Sequence, residues 1–378
     1  MDSELIYILN IAIILLAANI GGMISRKLNQ PEVLGQIVAG IILGAGLMVK
    51  TEMVTQIGEI GVIFLMFIAG LETDIDELKE SGKSSSLIAT LGVLVPGISV
   101  AIVTYLLTKN YEASIFMGII ATATSVSISV QTLKEIGRLR SKEGVTILGA
   151  AIIDDVIGII LLTLSVGILK PSAGSNVGLV IGKIVLFFIV VAIVGKIIKY
   201  LLTKFDEIYR LDEKIVSFAL IVCLLLAFLS EELGVAAITG AFFSGVVFSM
   251  TEHRHKVTHE VNRMASLFFI PVFFVVIGMG VDLKQAISAF GLGSIIILVA
   301  VLSKIIGCGF GAKFSGFNSK QSLQIGIGMV PRAEVAIIIS NLGLSLGIIG
   351  DNMMAITILM VVVTTLFTPS LLKWSFER

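Results

Sequence analysis

The sequence predicts an all-α polytopic membrane protein with 13 transmembrane helices, arranged as two inverted repeats that each contain a discontinuous crossing helix. Three observations predict it. Hydrophobic residues make up 56% of the 378 positions and charged residues only 14%, and the mean hydropathy is +1.04, well outside the range of soluble domains. The apolar residues gather into thirteen segments, at about 20 residues per bilayer crossing. Segments seven apart in the order share residue patterns. The formal net charge of zero gives no case for nucleic acid as a partner, and no cofactor is expected.

The segments run 5–25, 31–49, 56–72, 85–108, 113–134, 144–169 and 177–202, then 213–230, 234–250, 262–281, 286–312, 321–346 and 350–373. The opening Met1-Asp2-Ser3-Glu4 is acidic where a cleaved leader would be basic, so the first segment is expected to be retained. Pro31 opens the second segment, where a missing N–H costs nothing, and Gly35, Gly40 and Gly44 permit close helix approach within it. Cys223 and Cys308 lie inside apolar runs and read as small packing residues.

Orientation follows from the basic residues in the connections. With the N-terminus outside and the C-terminus inside, twenty lysines and arginines fall on the cytoplasmic side, against only Lys50, Lys109, Lys170 and Lys284 outside. Lys183 sits near an outer helix end, where its stem can snorkel, and Lys304 and Arg332 are intramembrane.

The repeat is carried by two matches. Residues 34–44 align with 235–245 without a gap, and Gly70-Leu71-Glu72-Thr73-Asp74-Ile75 aligns with Gly278-Met279-Gly280-Val281-Asp282-Leu283. An odd shift of seven reverses direction across the membrane, so the halves are expected to be inverted, with segment 177–202 linking them. Corresponding members are both expected to be broken. Segment 113–134 holds Thr122, Thr124, Ser125, Ser127 and Ser129, whose hydroxyls compete for backbone bonds. Segment 321–346 holds Gly326, Gly328 and Pro331, which lower the cost of unwinding and remove an interior bond. Paired discontinuous helices point to a midplane binding site.

Asp154 and Asp155 are adjacent in segment 144–169, in a run otherwise free of charge. One Asp at the centre of a membrane helix costs about 2.5 to 3.5 kcal/mol, so the pair calls for water, an ion or a cationic partner. Neighbouring helix residues point about 100° apart, and the two acids therefore take separate roles. Asp154 is assigned to Lys304, in the middle of segment 286–312, and Asp155 to an aqueous cavity as the ion-binding carboxylate. Arg332 and Glu334 are expected to neutralise each other or neighbouring helix ends, and Glu72 to be interfacial. His253, His255 and His259 fall in a connection; a solvated loop is the plain expectation and a pH sensor the sharper one, and they lack zinc-hydrolase spacing.

With these residues the chain resembles the monovalent cation/proton antiporters of the second family, the Nap-type and GerN-like sodium/proton antiporters. The specific part is the Asp154-Asp155 pair with the later Lys304, supported by the hydroxyl-rich 122–129 and the Pro-Arg-x-Glu of 331–334. The resemblance implies exchange of sodium for protons, with lithium and potassium left open as further cations, with Asp155 binding Na+ and Thr122 to Ser125 at the unwound crossing. It further implies a homodimer in a prokaryotic cell membrane among membrane lipids, working by an elevator-like cycle. The scaffold or dimer domain would comprise 1–84 and 213–285, the core transport domain 85–170 and 286–378, and a linker helix 171–212. Two acids and one lysine, rather than a single acid, predict electrogenic exchange. A Kef-type potassium efflux system shares the fold but would carry a soluble nucleotide-binding domain and a different acidic pair. A passive channel lacks support because no Thr-Val-Gly-Tyr-Gly filter occurs. An intramembrane aspartyl protease needs two convergent acids, whereas these diverge; no enzyme is expected.

Overall fold

The structure is a computed structural model that describes residues 6–46, 48, 50–169, 177–206, 214–282, 284, 287 and 289–377. Residues 1–4, Lys170, Arg210 and Arg378 lie outside these, as do the side chains of Lys199, Lys204 and Glu334. All regular structure among the described residues is helical. The first half holds α1 Ile6–Lys27, α2 Glu32–Gly44, α3 Glu52–Glu72, α4 Ile75–Thr108, α5 Tyr111–Thr122, α6 Val126–Glu135, α7 Lys142–Leu169 and α8 Val177–Asp206. The second holds α9 Ile215–Glu232, α10 Ala237–Ser249, α11 Arg254–Met264, α12 Ile270–Met279, α13 Phe290–Phe314, α14 Ser319–Gly328, α15 Glu334–Ser345 and α16 Asp351–Glu377.

Among the described residues, ten helical stretches are long and apolar enough to cross a membrane, and three shorter apolar helices, Glu32–Gly44, Ala237–Ser249 and Val335–Ser345, accompany them. The chain is an integral membrane protein. Leu16, Ile98, Phe228, Leu267 and Phe310 are exposed on helix faces, as a lipid-facing surface requires.

Two stretches read as connections are helical instead. Asp74 accepts a bond from Asp76 N at 2.8 Å and so caps α4, which begins ten residues ahead of the expected 85. His255 and His259, placed in a loop by the sequence, lie exposed on α11, while Val257 and Val261 on its other face are buried. The polar sequence there hides a two-residue apolar stripe at helical spacing, too short to stand out as a span. A five-residue π-helical turn, Ala265–Phe269, then joins α11 to α12 without a break.

Glycine sets how closely the helices cross. A Cβ on Gly70 of α3 would overlap the carbonyl oxygen of Phe242 in α10, and one on Gly245 of α10 would overlap that of Phe67 in α3. Gly40 of α2 and Gly278 of α12 stand in the same mutual relation, against the carbonyls of Val275 and Ile37. In lipid, where apolar burial does not drive helices together, such backbone approach supplies the dispersion contacts that do. Elsewhere α4 packs on α5, α7 and α13, and α13 in turn packs on α14 and α16.

Candidate functional site

The site is built where two helices are interrupted. Helix α5 ends at Thr122 and α6 starts at Val126, leaving Ala123 to Ser125 extended. Opposite them α14 ends at Gly328 and α15 starts at Glu334, with Pro331 among the five non-helical residues between. The two breaks lean on each other. Ser125 N donates to Pro331 O at 2.7 Å, Thr124 Oγ1 lies 3.5 Å from Met329 O, and Ser129 Oγ donates to Gly328 O at 2.5 Å. Interrupting a helix orphans backbone groups that lipid cannot satisfy, and each break here supplies acceptors or donors for the other.

Cations complete the accounting at the end of α5. Lys304 Nζ, from α13, donates to Thr122 O at 2.8 Å. Arg332 Nη2 donates to Ala121 O at 2.6 Å, and its Nη1 donates to Val330 O. Both side chains are fully buried, and positive charge at a helix C-terminus meets the negative end of the dipole. Thr364 and Thr365 of α16 hold the Arg332 backbone, accepting from its N–H at 3.1 Å and donating to its carbonyl at 2.9 Å. These bonds reach the end of α5 and the break after α14; the side chain of Glu334, the other partner expected for Arg332, lies outside the described residues.

Lys304 Nζ also lies 3.2 Å from both oxygens of Asp154, whose side chain is 1% exposed. Asp155, the next residue along α7, is half-buried. Both acids border a cavity of about 660 Å³. Its walls come from α3 (Gly58, Glu59, Val62), α10 and the turn before it (Val235 to Ile238), and α12 (Phe273, Val276, Ile277), facing α5, α7 and α15. Lys50, just ahead of α3, Glu59, two turns inside it, and Glu231, at the end of α9, also border it. Desolvation holds the Lys50 amine below the usual lysine range, and the Glu59 carboxylate opposes that shift.

The structure thus gathers Asp154, Asp155, Lys304, Thr122, Thr124, Ser125, Pro331 and Arg332 around one crossing. It does not bring Glu72 or the histidines there. Glu72 sits at the end of α3 with Arg140 Nε 3.8 Å from its carboxylate, and His255 and His259 lie on α11, with His253 just before its start. Sequence reasoning missed Lys50, Glu59 and Glu231. Glu59 carried a usable signal, an acid inside the apolar run 56–72; Lys50 and Glu231 sit beside connections and carried none.

A helical membrane protein in which two broken helices cross beside a buried acid–lysine pair and a cavity has the construction of a secondary transporter. The family model described as "Sodium/hydrogen exchanger, transmembrane" matches residues 11–378, and the chain belongs to that family, one of transporters and not of enzymes. It is 39% identical over 376 residues to the Na(+)/H(+)-K(+) antiporter GerN of Bacillus cereus, covering 99% of this chain and 97% of that protein. It is 37% identical to an Na(+)/H(+) antiporter of Enterococcus hirae, with 97% of each chain covered. Among solved structures it superposes on the sodium proton antiporter MjNhaP1 of Methanocaldococcus jannaschii at a TM-score of 0.71 and 19% identity, over 100% of this chain and 98% of that one; at that identity the likeness concerns the fold.

Proposed function

We propose that the protein exchanges protons for sodium across a membrane, with Asp155 as the carboxylate that binds cation and proton in turn. The observation that carries this reading is the division between adjacent acids. Asp154 is held by Lys304, while Asp155, about 100° further round α7, stands half-buried at the cavity. A carboxylate that must alternate between two small cations needs access to water, and a position on the cavity supports that role. Cation and proton then compete for one site, and bound cation drives proton release. The name of GerN supports potassium as an additional substrate.

The same reading makes α1 to α3 and α9 to α12 a scaffold, and α4 to α7 with α13 to α16 a core that moves against it to expose the site alternately. The cavity lies between helices of these two sets, which supports the division. The inverted repeat, and with it a count of thirteen spans, draws support from equivalent contacts. Gly70 and Gly278, aligned in the repeat, each lie against the backbone of a short helix, α10 and α2. Asp74 and Asp282, also aligned, each accept from the N–H two residues on, at 2.8 and 2.9 Å. An outward N-terminus, a homodimer and electrogenic exchange complete the reading.

Cation-dependent proton flux in sealed vesicles, with sodium, lithium and potassium in turn, tests it. Asp155→Asn removes an intramembrane charge, so the variant should fold yet lose exchange with every cation. Substantial antiport in that variant would move the binding role to another residue. A cysteine at Phe376, labelled in a background lacking Cys223 and Cys308, checks the orientation, which fails if the label enters only from outside.

A further inference from the structure

The residues that line the cavity lie toward one end of the molecule, and at the other end four polar ties join the two sets of helices. The geometry of α3 separates the ends: it borders the cavity over its first half, at Thr55 to Ile63, and finishes at Glu72, 20 residues on from Glu52, where it starts. At 1.5 Å per residue these ends are about 30 Å apart. At the Glu72 end, Arg140 Nε lies 3.8 Å from the Glu72 carboxylate. Lys373 Nζ, from α16, donates to Asn29 O at 2.7 Å and to Asn29 Oδ1 at 2.9 Å. Lys134 Nζ, at the end of α6, donates to Asn262 Oδ1 of α11 at 2.5 Å. Glu135, the last residue of α6, accepts from the backbone N–H of Glu32 at 2.5 Å and of Val33 at 3.2 Å.

The Glu135 tie differs from an ordinary contact because it does the work of a missing cap. Helix α2 starts behind Pro31, which provides no side-chain cap, so the first two N–H groups of α2 are satisfied by a carboxylate 103 residues away in sequence. A Ser or Asp at that position would cap α2 whatever the rest of the protein did. Here the cap is present only while α6 stands against α2. Gln131 Nε2 donates to Glu135 Oε1 at 2.9 Å and aims the carboxylate, and Arg26 Nε lies 3.0 Å from the neighbouring Glu32 carboxylate. Charge-assisted bonds of this kind are strong while made, and at a helix end near the membrane surface water replaces them when they part.

We infer that Glu135 is a releasable latch, which docks on the N-terminus of α2 while the Asp155 cavity is open and lets go as the cavity closes and the opposite end parts. The inference rests on the alternating-access reading above. Residue pair Lys134 and Glu135 terminates the same broken helix whose start, at Ser125, lies against Pro331, so movement at the site is carried to the latch through a single rigid ten-residue helix.

Two measurements on the full chain in liposomes, with Cys223 and Cys308 replaced by alanine, test it. The first is the labelling rate of Gly158→Cys, a cavity position with open space for a side chain, by a membrane-impermeant maleimide. Glu135→Ala should slow labelling by about two- to tenfold as the population leaves the cavity-open state, with Glu135→Gln, which keeps one acceptor and the side-chain volume, in between. An unchanged rate in either variant, with folding confirmed by a monodisperse elution profile, overturns the latch. The second is a cleavable cross-link between Asn29→Cys and Lys373→Cys, which should stop exchange until reduced. Full exchange in the cross-linked protein defeats the alternating-access reading itself; arrest by the cross-link with unchanged Gly158→Cys labelling in the Glu135 variants defeats the latch alone.

Discussion

Lys304 holds both oxygens of Asp154 at 3.2 Å, in a position where neither side chain meets solvent. Removing one partner of a buried pair leaves an uncompensated charge, which costs about 3 to 5 kcal/mol, whereas removing both leaves none. Lys304→Ala should therefore lower the thermal unfolding temperature of the purified protein sharply. Lys304→Ala combined with Asp154→Asn should recover much of that loss. A double variant as unstable as the single one would show that Lys304 acts mainly through its bond to Thr122 O.

The same pair bears on stoichiometry. If Lys304 gives up a proton when cation binding separates it from Asp154, two protons exchange for one cation, and each net charge moved is worth about 2.3 kcal/mol per 100 mV. Transient currents on a solid-supported membrane should then appear in the unmodified protein and vanish or reverse in Lys304→Gln. Flux without current in the unmodified protein would defeat electrogenic exchange, and an unchanged current in the variant would remove Lys304 as the second carrier.

Lys50 gives a pH-dependent prediction. Because desolvation lowers its pKa, with Glu59 opposing, the amine loses its charge at a lower pH than a free lysine would. Below that pKa it is positive and repels cations from a cavity that holds Asp154 and Asp155; above it the repulsion is gone. A unit charge on the order of 10 Å away in water-filled space is worth roughly 0.4 kcal/mol, about twofold in affinity. Lys50→Gln should raise apparent sodium affinity by about that factor on the acid side and leave it unchanged once Lys50 is neutral. Flux titrations over a pH series check both halves.

Two glycines should respond in opposite directions to alanine. At Gly70 the added methyl meets the Phe242 carbonyl, a backbone group that cannot swing aside, and overpacking of this kind costs about 1 to 3 kcal/mol. At Gly82, inside α4, nothing lies near the new Cβ, and alanine should stabilise the helix by roughly 0.5 to 1 kcal/mol. Thermal unfolding of the two variants side by side checks the sign of each.

The membrane class and the position of most helices were legible because hydropathy is a local property: segment 5–25 corresponds to Ile6–Lys27, and 350–373 to Asp351–Glu377. The two breaks were legible too, since clustered hydroxyls and a proline between glycines weaken a helix by chemistry written into the chain. The helical connections 75–84 and 254–261 were not, because their polar composition masks a cap and a short apolar stripe.

What the sequence determined by itself, then, is that two acids on one membrane helix must diverge and that a lysine elsewhere in the bilayer needs a partner. Tertiary structure decided the rest: that Asp154 meets Lys304, that the ammonium also caps α5 at Thr122, and that Lys50, Glu59 and Glu231 come to border the same cavity. It also decided that Glu135 caps α2 in place of a local residue. A helical period states how far apart two side chains point, but which helix stands in either direction depends on crossings set by glycines in other segments, and no local pattern records those.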